Sequence, residues 1–118
     1  MTIQQCYEAM DCRYEEVFQR LRSERLIQKY ALKFPEDQSF HALAAAMARG
    51  DVKGAFLAAH TLKGVAQNLG FTGLYTASAA LTESLRGAEA DENLLEAVKA
   101  AYEKTIRAID RFQRENAL

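Results

Sequence analysis

The chain has 118 residues, 49% hydrophobic and 26% charged, with 15 Lys and Arg against 16 Asp and Glu for a net charge of −1. That length suits one domain with a real core. No run approaches the ~18 apolar residues of a membrane span, and near-neutral charge exerts no general pull on nucleic acid or anionic lipid. The 21 Ala, the single Pro35 and the confinement of all six Gly to residues 50–87 predict helices throughout.

Thr2 and Gln5 form a capping box that opens a short helix through about Met10. Tyr14, Val17, Phe18 and Leu21 give a second short stripe. Ser23 N-caps a third helix carrying Leu26, Ile27, Tyr30, Ala31 and Phe34, stopped near Pro35. Ser39 is expected to cap a fourth, with Phe40, Leu43, Ala44 and Met47 inward and an end at Gly50. Asp51 caps a fifth that runs to about Leu69 and stops at Gly70. Thr72 is expected to cap a sixth, with Leu74, Ala77, Ser78, Leu81 and Leu85 on one face and Gly87 closing it. Asp91 starts the longest, where Leu95, Val98, Tyr102, Thr105, Ile109 and Phe112 recur at bundle-seam spacing.

Loops of one to five residues between the last four helices make neighbours antiparallel. The expected fold is all-α: an up-down four-helix bundle over residues 39–118, with residues 1–38 as accessory helices packed over one end. No internal repeat or linker interrupts it. The start of the chain lacks a basic segment followed by an apolar stretch and a cleavage site, so the expectation is a cytoplasmic protein. Cys6 and Cys12 are then free thiols.

The fifth helix has a chemically unusual surface. With about 100° per residue and His60 set to zero, Ala55, Ala58, Ala59, Leu62, Val65, Ala66 and Leu69 fall between roughly 140° and 260°. That arc is the core side, so His60 points to water. Lys63 and Gly64 share its face one turn later and Gln67 two turns later. A mid-helix glycine costs ~1 kcal/mol relative to alanine, in a chain rich in alanine. Clearance explains it: no Cβ stands beside the imidazole, and a bulky group can approach. Phe56 and Leu57 flank the histidine one turn upstream as an apolar docking rim.

An exposed imidazole is largely neutral, hence nucleophilic, at pH 7. Attack on a phosphoryl group would give a phosphohistidine whose charge Lys63 could screen. A metal and in-line geometry would have to come from the partner, because the chain has no phosphate-binding glycine loop and no carboxylates beside His60.

Ala59-His60-Thr61-Leu62-Lys63-Gly64, followed by Leu69-Gly70, resembles the signature of histidine-containing phosphotransfer (HPt) domains of multistep two-component phosphorelays. The resemblance covers about two thirds of the chain; residues 1–38 resemble only that family's variable accessory helices. It implies His60 as phosphoacceptor, Lys63 as phosphoryl stabiliser and Gly64 as the clearance for a docking receiver domain. It implies exchange of phosphoryl groups with receiver aspartates of response regulators, a hybrid histidine kinase as a further partner, and no autokinase activity. No cofactor is expected in the chain itself, Mg²⁺ belonging to the receiver, and no nucleic acid or membrane partner; the protein is expected to be a monomer. In one respect the sequence departs from the pattern. Counting across the Gly70–Phe71 turn puts Thr82 level with His60, where many members carry Gln to bond the imidazole or phosphoryl group. Thr82 has a shorter reach, and Gln67 or Ser78 are the candidates to substitute.

Two other readings compete with this one. A non-catalytic adaptor of the same fold would bind a receiver or kinase without carrying phosphate. A metal or haem bundle would need inward ligands, which neither histidine supplies. His41 has neither cation nor glycine on its face and reads as an ordinary surface histidine.

Overall fold

The computed structural model describes residues 1–117, and these form seven α-helices and one 3-10 turn. In chain order they are α1 (Ile3–Ala9), α2 (Tyr14–Leu21), α3 (Glu24–Lys33), the 3-10 turn (Phe34–Glu36), α4 (Ser39–Ala48), α5 (Val52–Leu69), α6 (Thr72–Arg86) and α7 (Glu92–Asn116). Local chemistry sets most of these ends. Thr2 and Gln5 exchange side-chain to backbone hydrogen bonds at 3.0 and 2.8 Å, the capping box that opens α1. The Ser23 hydroxyl accepts the Leu26 N–H at 3.2 Å, and Asp51 Oδ1 accepts the Gly54 N–H at 2.9 Å. Asp91 Oδ1 accepts from Asn93 and Leu94 at the start of α7. Gly70 closes α5 at φ +72°, a left-handed conformation that glycine adopts without strain.

Two helix ends differ from expectation. Ser39 does not cap α4: it is the first helical residue, and its own N–H donates to Asp37 Oδ1 at 2.8 Å. Thr72 does not cap α6 either. Phe71 holds that position with no side-chain cap bond, because its ring is fully buried between Tyr7 and Phe34 at centroid distances of 5.7 and 5.1 Å. The Thr72 N–H donates instead to Cys12 Sγ at 3.2 Å, a bond supplied from the N-terminal segment. Gly87 closes α6 as expected, at φ −84°, and the left-handed residue that follows is Ala88 at φ +64°.

The expected bundle is present. Successive helices α4, α5, α6 and α7 lie side by side, and α4 against α7 closes the ring. Leu43, Ala46, Ala55, Ala59, Leu62, Ala66, Leu74, Leu81, Val98 and Ile109 fill its interior. The N-terminal helices meet this bundle at the α5–α6 turn and along α7. Tyr7 Oη donates to the Leu69 carbonyl at 2.5 Å, and the buried Cys6 thiol faces the Ala108 carbonyl at 3.5 Å. Aromatic rings run from one part to the other: Tyr14, Tyr7, Phe71, Phe34, Tyr102 and Phe40 form successive contacts, the last pair stacked at 4.2 Å and 12°. Both cysteines are free and buried, and no helix among the described residues is long and apolar enough to cross a membrane.

Candidate functional site

Helix α5 buries Ala55, Ala59, Leu62 and Ala66, with Ala58, Val65 and Leu69 half-buried at the edges of that stripe. Four of those seven positions are alanine, so α5 approaches α4 and α6 closely and holds its outer face firmly. His60 stands on that outer face, exposed to solvent. Among the described residues no hydrogen bond or ion pair engages its ring. The imidazole lies nearly parallel to the half-buried Phe56 ring, at 17° and a centroid distance of 6.1 Å.

Lys63 and Gly64 are half-exposed on the same face one turn on, and Gln67 is exposed beyond them. A Cβ added at Gly64 would meet nothing within 4 Å. Internal packing therefore does not require glycine there, and the missing side chain leaves open space beside the histidine. Leu57 is 58% exposed, the most exposed large apolar side chain among the described residues. Thr61 spends its hydroxyl locally, donating to the Leu57 carbonyl at 2.9 Å. His60, Lys63, Gly64, Gln67, Phe56 and Leu57 thus share one continuous surface.

Ser78 and Thr82 do not join it. Both are fully buried. Thr82 donates its hydroxyl to the Ser78 carbonyl at 2.7 Å, and the Ser78 hydroxyl has no partner among the described residues. Hairpin counting places Thr82 at the level of His60 along the helix axis, but level is not direction: its side chain is turned inward and fully buried. Neither hydroxyl is exposed to a group bound on the solvent side of the imidazole. His41 is exposed on α4, edge-on to Phe40 and Tyr102.

Two cations that sequence reasoning passed over adjoin the site. Arg86, at the end of α6, lies over the Phe56 ring at 5.0 Å from its centroid, an arrangement favoured by the ring's quadrupole. It also pairs with Glu83 at 3.3 Å. The signal was available: the count that puts Thr82 level with His60 puts Arg86 level with Phe56. Lys53 is exposed two turns before His60 on the same stripe. Residues 52–69 contain no Asp or Glu, so Lys53, Lys63 and Arg86 give this face a positive field. Asp51, the acid at the head of α5, is committed to its cap. The Gly54 N–H, then Arg49 at 3.2 Å, hold its carboxyl below the ordinary carboxylate range.

The site therefore offers a free nucleophile, adjacent positive charge, an unobstructed approach and an apolar rim. Among the described residues no group of three His, Cys, Asp or Glu is placed to hold a metal ion. Comparison with known proteins gives no match among curated proteins and none among solved structures. The family model described as Hpt domain matches residues 25–109, which takes in α3 as well as α4, α5, α6 and most of α7. Helical bundle, exposed histidine and family match agree, and the chain belongs to the Hpt domain family, the histidine-phosphotransfer modules of phosphorelays.

Proposed function

We propose that this protein is a phosphocarrier that exchanges a phosphoryl group between His60 and the receiver-domain aspartates of response regulators. The observation that carries the reading is the outward, unpartnered imidazole on α5 beside a glycine whose Cβ position is empty space. In the forward step the unprotonated ring nitrogen attacks the phosphorus of an aspartyl phosphate. The P–N bond forms, the P–O bond to the aspartate breaks, and the carboxylate leaves with the bonding pair. The reverse step hands the group to a second receiver. The other ring nitrogen keeps its proton throughout, so the transfer itself moves no proton, and any later deprotonation of the phosphorylated ring gives that proton to solvent.

Lys63 neutralises charge on the bound phosphoryl group through N–H donors one helical turn away. Gly64 admits the receiver, and Phe56 and Leu57 form its apolar seat. Phe56 also backs the imidazole and limits the ring's freedom. We assign the divalent metal to the receiver, because α5 supplies cations and no carboxylates here. Of the three supporting candidates, Gln67 alone keeps access to solvent on this face. The cytoplasm is the compartment we infer, in keeping with two buried free thiols that a reducing environment preserves.

The test is acid-labile radiolabel transfer from a phosphorylated receiver domain. Wild type should accept it, and His60→Gln should stay folded by circular dichroism, since the side chain faces water, yet accept none. Labelling of that variant at the wild-type level rejects the carrier reading. Stable receiver binding with no label on the wild-type protein would favour the adaptor of the same fold.

A further inference from the structure

An open groove of about 450 Å³ lies between the first turns of α5 and the end of α6, lined by Val52, Lys53, Phe56, Leu85 and Arg86. Its floor is apolar and its walls carry two cations. Arg86 is partly offset by Glu83, whereas Lys53 makes no ion pair among the described residues. The groove is continuous with the histidine site, because Phe56 belongs to both: its ring lies against His60 and under Arg86. Lys53 falls about 20° from His60 around the helix and about 10 Å from it along the axis. A partner large enough to cover the imidazole and Leu57 would extend over this groove as well.

We propose that the Lys53–Arg86 groove is a specificity-determining seat for an acidic, apolar-tipped segment of the receiver domain that phosphorylates or discharges His60. This rests on the phosphocarrier reading and adds the chemistry by which a receiver is chosen. Charge complementarity selects the occupant: an acidic side chain meets Lys53 and Arg86, and an apolar neighbour covers Val52, Phe56 and Leu85. A receiver with a basic segment at that place meets two cations and is rejected. Rim charges of this kind act on encounter and partner choice more than on the chemical step, and their effect is screened over about 8 Å at physiological salt.

The experiment uses the full chain and the receiver domain, among those of the same genome, that labels the wild-type protein fastest. Transfer is measured against receiver concentration for wild type, Lys53→Arg, Lys53→Glu and the double variant Lys53→Glu/Arg86→Glu. Lys53→Glu should raise KM about tenfold at low salt with the saturated rate retained, the double variant should raise it further, and Lys53→Arg should behave as wild type. The wild-type KM should rise with added NaCl more steeply than that of the double variant. Wild-type KM and salt dependence in both Glu-containing proteins, with labelling still abolished by His60→Gln, would overturn the groove alone. Labelling that persists in His60→Gln would instead overturn the phosphocarrier reading beneath it.

Discussion

At the scale of single residues, the site depends on which side chains are absent as much as on which are present. Gly64 has room for a Cβ on its own helix and among its neighbours, so its substitution separates folding from docking. Gly64→Leu should raise stability by up to ~1 kcal/mol through helix propensity, read as a higher urea midpoint. The same change should slow receiver-dependent labelling of His60, because the new side chain occupies the approach. Labelling at the wild-type rate would refute the clearance argument. His60, Lys63 and Gly64 were legible in the sequence because 3.6-residue periodicity alone fixes which face each occupies. Arg86 was not singled out, since nothing local to α6 distinguishes it from any other basic residue near a helix end. Ser78 and Thr82 show the opposite failure. Their level along the bundle could be counted, but whether a side chain at that level is buried or exposed depends on how the neighbouring helices pack.

At the scale of elements, α5 is held at both ends. Asp51 caps its start, and Gly70 with the Tyr7 hydroxyl satisfies its end. A Cβ added at Gly70 would stand 2.9 Å from Val17 Cβ, so α2 closes over this turn and leaves no room for another residue type. Tyr7→Phe removes the phenol that serves the Leu69 carbonyl and should lower stability by about 1 kcal/mol, measured by urea denaturation. Because that bond lies more than two turns from His60, labelling of the folded variant should be retained. An unchanged urea midpoint would mean that α1 contributes nothing to holding the end of α5. The ends of α4 and α6 were misread for a common reason. Ser and Thr are good caps in isolation, but burial of Phe71 fixes the start of α6 one residue earlier, and Asp37 supplies the start of α4.

At the scale of the whole molecule, the N-terminal helices and the bundle share one interior, and buried acids there report on its integrity. Burial, with a smaller contribution from Cys12, pushes the Cys6 thiol up to about 11. Burial likewise raises the Tyr7 phenol well above its ordinary value. Both groups hold their protons more tightly folded than unfolded, so below the unfolded-state values they make no pH-dependent difference. As pH rises past about 8.5 for a free thiol and about 10 for a free phenol, the unfolded chain releases protons that the folded chain keeps, and stability falls. The urea midpoint should therefore decline steadily between pH 8.5 and about 11, and the decline should shrink in Cys6→Ala. A flat midpoint across that range would show that α1 opens without unfolding the rest. On the outer face of α5 and the end of α6, Lys53, Lys63 and Arg86 concentrate positive charge on a protein of net charge −1, which local fields can do without altering the overall balance.

Sequence alone determined the helical class, the order and approximate extent of the helices, and the outward direction of His60 with lysine and glycine on its face. These follow from caps, breakers and periodicity, which act over three to seven residues and need no knowledge of distant chain. Tertiary structure decided the burial of Ser78 and Thr82, the placing of Arg86 over Phe56, the true starts of α4 and α6, and the fastening of α1 to the end of α5. Each of these depends on which surfaces of separate helices meet, a matter of volume and shape that no local pattern specifies.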